Sequence, residues 1–304
     1  MFTVLTQMAA LIVCGIGWRA LRPLGLDADP MRHALTSLVY VLLLPALVLK
    51  VLWVAPLSGE SVRIAILAAT GVLLGLASAW IWFRLGRAPQ ATVGAMILAA
   101  GFPNVTYLGL PVLQQSLGDW ASRVAIQYDL FACTPLLLSL GIAIARHHGH
   151  HEERTSPLRA LLKVPPLWAA VVAVALNGLH VPLPPALHGL LEMLGHGVIP
   201  LMLIALGMGL RWDTWHSGML LHLLPVLLIQ LLLTPAAIWM LSGFMALDGD
   251  LRRAVVLEAA MPTMVLGIVL TDRYGLDSGL YAAAVTLSTA LSMLTLPLWF
   301  GWLG

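Results

Sequence analysis

The chain has 304 residues, 60% of them hydrophobic and 10% charged, with a formal net charge of +2 and a mean hydropathy of +0.92. A soluble domain carries roughly 25% charged residues, so a water-soluble globular enzyme is excluded. The apolar residues come in long blocks without the alternating ten-residue segments of an outer-membrane barrel, which predicts a polytopic α-helical membrane protein in contact with lipid and without a nucleic-acid partner.

A membrane span needs about 20 apolar residues. Charge, proline and glycine divide the chain into ten predicted spans, at 3–21, 33–55, 61–84, 90–117, 121–145, 158–179, 186–210, 217–246, 251–272 and 279–303. No Lys or Arg precedes the first span, while Arg19 and Arg22 follow it; this order predicts an uncleaved helix with its N-terminus outside. Cys14 and Cys133 both fall within spans, against a disulfide framework. Span two carries Pro45 in "LLLPALVL" and Lys50 near its end, where a long stem can reach an anion or snorkel to the interface. Span four is interrupted by "AAGFPNVTYLGLPVL", and span five holds Gln127, Asp129 and Pro135. The longest polar stretch, "RHHGHHEERTS" at 146–156, lies midway; its histidines lack fixed metal-ligand spacing and read as a solvated loop. His188, Glu192 and His196 share one face of span seven, span nine contains "EAAMPT" with Glu258, and Ser288, Ser292 and Thr295 line one face of span ten.

The two halves compare across that central loop. Pro45 and Pro200, Pro103 and Pro262, and Pro135 and Pro297 occur in order at offsets of 155, 159 and 162 residues. Three ordered matches indicate a duplicated five-helix unit, and an odd helix number inverts the second copy in the membrane. The expected fold is an all-α membrane protein of ten transmembrane helices in two inverted repeats, with proline-broken helices four and nine crossed. Residues 1–145 form the first repeat, 146–157 a cytoplasmic linker and 158–304 the second. With the N-terminus outside, eleven Lys or Arg fall on the cytoplasmic side and five outside, in accord with the positive-inside rule. This predicts a multi-pass protein of a cell membrane, of bacterial inner-membrane type, with both termini external.

Pro103 removes a backbone donor and clashes with the carbonyl at Ala99, and Pro262 does the same in span nine. Such breaks are tolerated in lipid only where protein or a water-filled cavity receives the freed polar groups. Each break presents a half-helix N-terminus, one near Asn104 and one near Thr263, and such ends favour an anion. Pro103, Asn104, Val105, Pro262 and Thr263 are therefore the expected substrate-binding residues. Glu258 and Asp129, ionisable and intramembrane, are candidates for carrying Na+ or H+. The structural alternatives are pairing of Glu258 with Arg252 or Arg253, and of Asp129 with Arg123.

"GFPNVTYLGLPVL", with "EAAMPTMVLGIVLTDRYGLDSGLYAAAVTLSTALSMLTLPLW", resembles the auxin efflux carrier family, including bacterial members and the plant PIN-formed proteins. "LTSLVYVLLLPALVLKVL" and "VIPLMLIALGMGL" are similar to that family's second and seventh helices. The resemblance implies crossed fourth and ninth helices, a scaffold of helices one, two, six and seven, and a moving domain of helices three to five and eight to ten. It also implies elevator-type transport of organic anions such as malonate or malate, and often a homodimer. The family's crossing prolines map to Pro103 and Pro262 and its motif asparagine to Asn104; Thr263 stands where the plant proteins tend to have another Asn. A remoter similarity is to bile-acid sodium symporters, whose sodium-binding Glu maps to Glu258.

A secondary or facilitative transporter of a small organic anion is thus expected. The alternatives are a sodium-coupled symporter and a channel-like pore, although the chain has no filter-like repeat or ring of like charges. No Gly-x-Ser-x-Gly, His-Glu-x-x-His or Walker loop is present, so neither an enzyme, a bound metal nor direct ATP drive is expected.

Overall fold

Helices follow the punctuation of the sequence. The computed structural model describes residues 2–303 apart from 58, 87, 151–158, 160, 211–216 and 248. In the first half, α1 (Phe2–Leu21), α2 (Ala28–Val54) and α3 (Gly59–Arg84) precede a broken pair, α4 (Gln90–Gly101) and α5 (105–117), and α6 (Asp119–His148) follows. The second half holds α7 (Pro165–Gly178), α8 (Pro185–Gly209), α9 (Leu220–Phe244), the broken pair α10 (Gly249–Ala259) and α11 (Gly267–Tyr274), and α12 (Ser278–Leu303). Six helices, α2, α3, α6, α8, α9 and α12, are long and apolar enough to cross a membrane. Large apolar side chains such as Trp80, Leu221, Phe244 and Leu298 are exposed while Asn104, Glu258 and Thr263 are buried. Apolar residues outside and polar residues inside suit a chain whose solvent is lipid. This is an all-α, multi-pass membrane protein.

Prolines shape the long helices without ending them. Pro45, Pro111, Pro135 and Pro235 each follow a widened turn, at Val39–Leu43, Val105–Gly109, Asp129–Cys133 and Ile229–Leu233. Proline supplies no N–H and its ring crowds the carbonyl one turn back. A preceding i→i+5 turn bypasses that carbonyl and lets the helix continue.

Small residues set the closest helix approaches. α1 packs along the second half of α8, where Gly15 and Gly207 meet; a Cβ on either would strike the backbone of the other helix. Glycine at a crossing lets two membrane helices touch backbone to backbone. α7 lies against the second half of α2, fastened by Asn177, whose Nδ2 shares its two N–H groups among the carbonyls of Leu52, Trp53 and Ala55 at 3.1, 2.7 and 2.8 Å. These carbonyls close α2 and have no acceptor role within the helix. Arg19 ties α1 to α8 by donating to the Met208 carbonyl at 2.7 Å, and to α2 through Asp29 at 2.5 Å. A second set packs around α3, which contacts α4, α6 and α9; α10 lies on α9 and α6, and α12 on α4. There Gly75 makes room for the Ala100 carbonyl.

Candidate functional site

Both broken pairs meet in the interior. α4 ends at Gly101 and α5 resumes at Val105, which leaves 102–104 outside both helices, with Phe102 extended. The corresponding stretch after α10 runs antiparallel to it, with Pro103 opposite Thr263. Asn104 N donates to the Pro262 carbonyl at 2.7 Å, and Met264 N to the Phe102 carbonyl at 2.9 Å. Each break thereby satisfies polar backbone of the other, the condition for interrupting a helix in lipid. Further groups brace the joint. Gln230 Nε2 donates to the Met261 carbonyl at 2.9 Å, Thr263 Oγ1 to the Ala99 carbonyl at 2.9 Å, and Tyr281 Oη to the Met264 carbonyl at 2.9 Å. The Ser288 hydroxyl accepts from Thr263 N at 3.1 Å.

The joint is not symmetric in what it offers. α5 begins directly after Asn104, so its first amides, which have no intrahelical acceptors, lie at the break. α11 begins only at Gly267, four residues beyond Thr263, and the Thr263 hydroxyl is already committed to Ala99. The side chain of Asn104 is 1% exposed, and neither its Oδ1 nor its Nδ2 has a hydrogen-bond partner.

Asn104 and Asp129 line a cavity of about 250 Å³ together with Tyr40, Thr106, Tyr107 and Thr134. Exposed Arg273 stands at its edge. Asp129 accepts hydrogen bonds from the hydroxyls of Thr106 and Thr134, not from Arg123, which pairs instead with Glu60 at 3.3 Å. The widened turn at Asp129–Cys133 brings Thr134, five residues on, over the Asp129 carboxyl. Pro103, Val105, Pro262 and Thr263 are buried and lie outside the cavity lining; they build the joint, while Asn104 belongs to both the joint and the lining.

Glu258 occupies a different position, behind the joint. It is 0% exposed and neither carboxyl oxygen has a partner. Arg252 is engaged with Ser242 and the Trp239 carbonyl, and Arg253 with Asp250 and the Leu303 carbonyl. Facing Glu258 is Gly109, where any Cβ would collide with the carboxylate. Gln127 and Tyr128, on the stretch of α6 packed against α10, likewise have buried polar atoms without partners.

Other sequence candidates resolve simply. Lys50 donates to Glu192 at 2.9 Å, and His188 stands 3.9 Å from the same carboxyl. His148 is buried and bonded to Gln90 at 2.6 Å, while His151 lies outside the described residues. Among the described residues, no group of three or more His, Cys, Asp or Glu could hold a metal ion. Tyr40, Thr106, Tyr107 and Thr134 escaped the sequence reading, because uncharged hydroxyl residues in an apolar helix carry no signal until tertiary packing turns them toward one space.

The membrane transport protein family matches residues 3–300. The chain belongs to that family. An uncharacterized transporter of Methanothermobacter thermautotrophicus is 30% identical over 298 residues, covering 97% of this chain and 96% of its own. The uncharacterized transporter MJ1031 of Methanocaldococcus jannaschii is 26% identical over 69% of this chain and 68% of its own. The uncharacterized transporter YfdV of Escherichia coli K12 is 23% identical over 72% and 71% respectively. As a member of the membrane transport protein family, this chain is a transporter and not an enzyme.

Proposed function

We propose that this transporter carries a small organic anion, a mono- or dicarboxylate such as malonate or malate or an auxin-like weak acid, by an elevator-type alternating-access mechanism. The observation that carries the reading is Asn104: a buried side-chain amide with no partner, at a helix start, on a residue that lines a cavity. An unpaired buried amide is costly, and a bound carboxylate would accept from its Nδ2 and from the first amides of α5.

The same reading takes the helices as ten crossings in two inverted repeats, with helices one, two, six and seven (α1, α2, α7 and α8) as scaffold. Helices three to five and eight to ten (α3–α6 and α9–α12) then move as one body. The bridge between Pro103 and Thr263 supports this, since it ties the two broken crossings together. The excess of Arg and Lys on alternate connections favours external termini. A homodimer and a cell-membrane location follow from the likeness to auxin efflux carriers.

A test is thermal stability of the purified protein with malonate, L-malate and indole-3-acetate, since a ligand bound only to the folded state raises Tm by mass action. At least one of these should raise Tm in the wild type and fail to do so in Asn104→Ala. Retained stabilisation in that variant would refute the assignment of Asn104. Counterflow of labelled anion in proteoliposomes separates a carrier from a channel-like pore.

Glu258 favours a second reading, of coupling to Na+ or H+, because both its carboxyl oxygens are buried without a partner. In that case anion stabilisation should require sodium or vary with proton concentration, and the requirement should vanish in Glu258→Gln.

A further inference from the structure

Beside the Asn104 cavity lies a second, of about 260 Å³, bounded by α2 and the second half of α8 on one side and by Tyr107 and 265–269 on the other. Among the described residues its polar lining is Arg32, His33, Thr36, Ser37, Tyr40 and Tyr107, with no carboxyl group. Tyr40 and Tyr107 line both cavities.

Arg32 is the unusual member. The start of α2 gathers three guanidinium groups around two carboxylates. Arg22 takes Asp27 at 3.4 Å and Arg19 takes Asp29 at 2.5 Å; Arg32 reaches only 3.9 Å from that same Asp29 oxygen. The Arg32 side chain is 24% exposed; its Nε is buried and faces the Asp29 oxygen at 3.9 Å, too far for a hydrogen bond, so that donor has charge opposite it but no acceptor. A buried guanidinium donor left open is expensive, and its planar fork matches a carboxylate. Gly209 faces the Arg32 stem, which would lie 3.5 Å from a Cβ there.

The neighbouring cavity holds side chains of both signs, Asp129 in its lining and Arg273 at its edge. Among the described residues, the cavity between α2 and α8 has Arg32 and no carboxyl group in its lining, so charge complementarity favours the charged end of an anion there.

We propose that the cavity between α2 and α8 is a carboxylate subsite with Arg32 as its countercharge, continuous through Tyr40 and Tyr107 with the space below Asn104. The inference rests on the organic-anion reading and adds to it a residue on the α2 side that selects for negative charge. A dicarboxylate bound there would contact α2 through one carboxylate and the crossed breaks through the other.

The experiment is malonate affinity, by isothermal calorimetry, of the purified full chain as wild type, Arg32→Gln, Arg32→Lys and Asn104→Ala. Arg32→Gln should weaken malonate at least tenfold, with Arg32→Lys falling between it and the wild type. Equal affinity in Arg32→Gln, together with loss in Asn104→Ala, overturns the subsite and leaves the Asn104 reading standing. Absence of binding of malonate, L-malate and indole-3-acetate to the wild type overturns both. A measurement on the wild type alone covers a variant that does not fold. Phenylglyoxal modification of Arg32, read by peptide mass spectrometry, should slow in saturating malonate, and an unchanged rate counts against the subsite.

Discussion

Glu258→Met should stabilise the protein while abolishing any coupled function. The carboxyl is 0% exposed and both of its oxygens lack partners, and a buried unsatisfied polar atom costs about 1–3 kcal/mol. Methionine has nearly the volume of glutamate, and a volume-conserving core swap costs less than about 1.5 kcal/mol. Its terminal methyl would replace a carboxyl oxygen against Gly109, the position that already requires a residue without Cβ. The net expectation, after that cost, is a gain of up to about 3 kcal/mol, a rise in Tm of up to roughly 5 °C for a chain of this size. Differential scanning fluorimetry in detergent, with choline as the only monovalent cation, measures it without a competing sodium ion. Glu258→Gln keeps polar atoms in the same place and should show no comparable gain. A fall in Tm of several degrees for Glu258→Met, with the fold intact, would refute the reasoning, because it would mean that the carboxyl is held by a compensating partner.

Further outcomes follow from packing and hydrogen bonding. Gly207→Val should cost at least about 1–3 kcal/mol through overpacking against the Ile12 carbonyl. Gly17→Ala, two residues from the crossing glycine of α1 and with nothing within 4 Å of its Cβ, should gain up to about 1 kcal/mol; thermal denaturation compares the two. Asn177→Leu removes the amide that donates to the closing carbonyls of α2 and should lower stability by about 1–2 kcal/mol without changing malonate affinity in calorimetry. Combining Thr106→Val with Thr134→Val strips Asp129 of both its hydroxyl donors. The pair should destabilise, and adding Asp129→Leu should recover much of the loss, a non-additivity that a mutant cycle in Tm would record.

The helical elements were legible because proline, glycine and charge interrupt long apolar runs, and the described helices begin and end close to those interruptions. The break at Pro103 was legible for the same reason, since an interior proline in a membrane helix demands an explanation. Partners across the fold were not. Arg123 is six residues from Asp129 in sequence, yet it pairs with Glu60 on α3, and Asp129 takes its hydrogen bonds from two threonines. Charge and spacing rank the cation as the obvious partner, but a helix turns those two side chains to different faces, and the widened turn after Asp129 brings in Thr134. Lys50 meets Glu192 across 142 residues, a contact that local pattern does not contain. Arg32 reads from sequence only as one of many cytoplasmic positive charges; its incomplete pairing emerges when Arg19 and Arg22 arrive on the same two aspartates.

The two hydrogen bonds between the breaks join residues more than half the chain apart. While the protein is being made, the first break enters the bilayer before its partner has been synthesised, with the Phe102 carbonyl and the Asn104 amide still uncovered. Each such group costs several kcal/mol in hydrocarbon. The nascent first half should therefore sit poorly in lipid until the segment around Thr263 arrives, which makes biogenesis dependent on completing translation. A chain truncated before Pro262 should be retained by the insertion machinery or degraded, and expressing the second half in trans should rescue it.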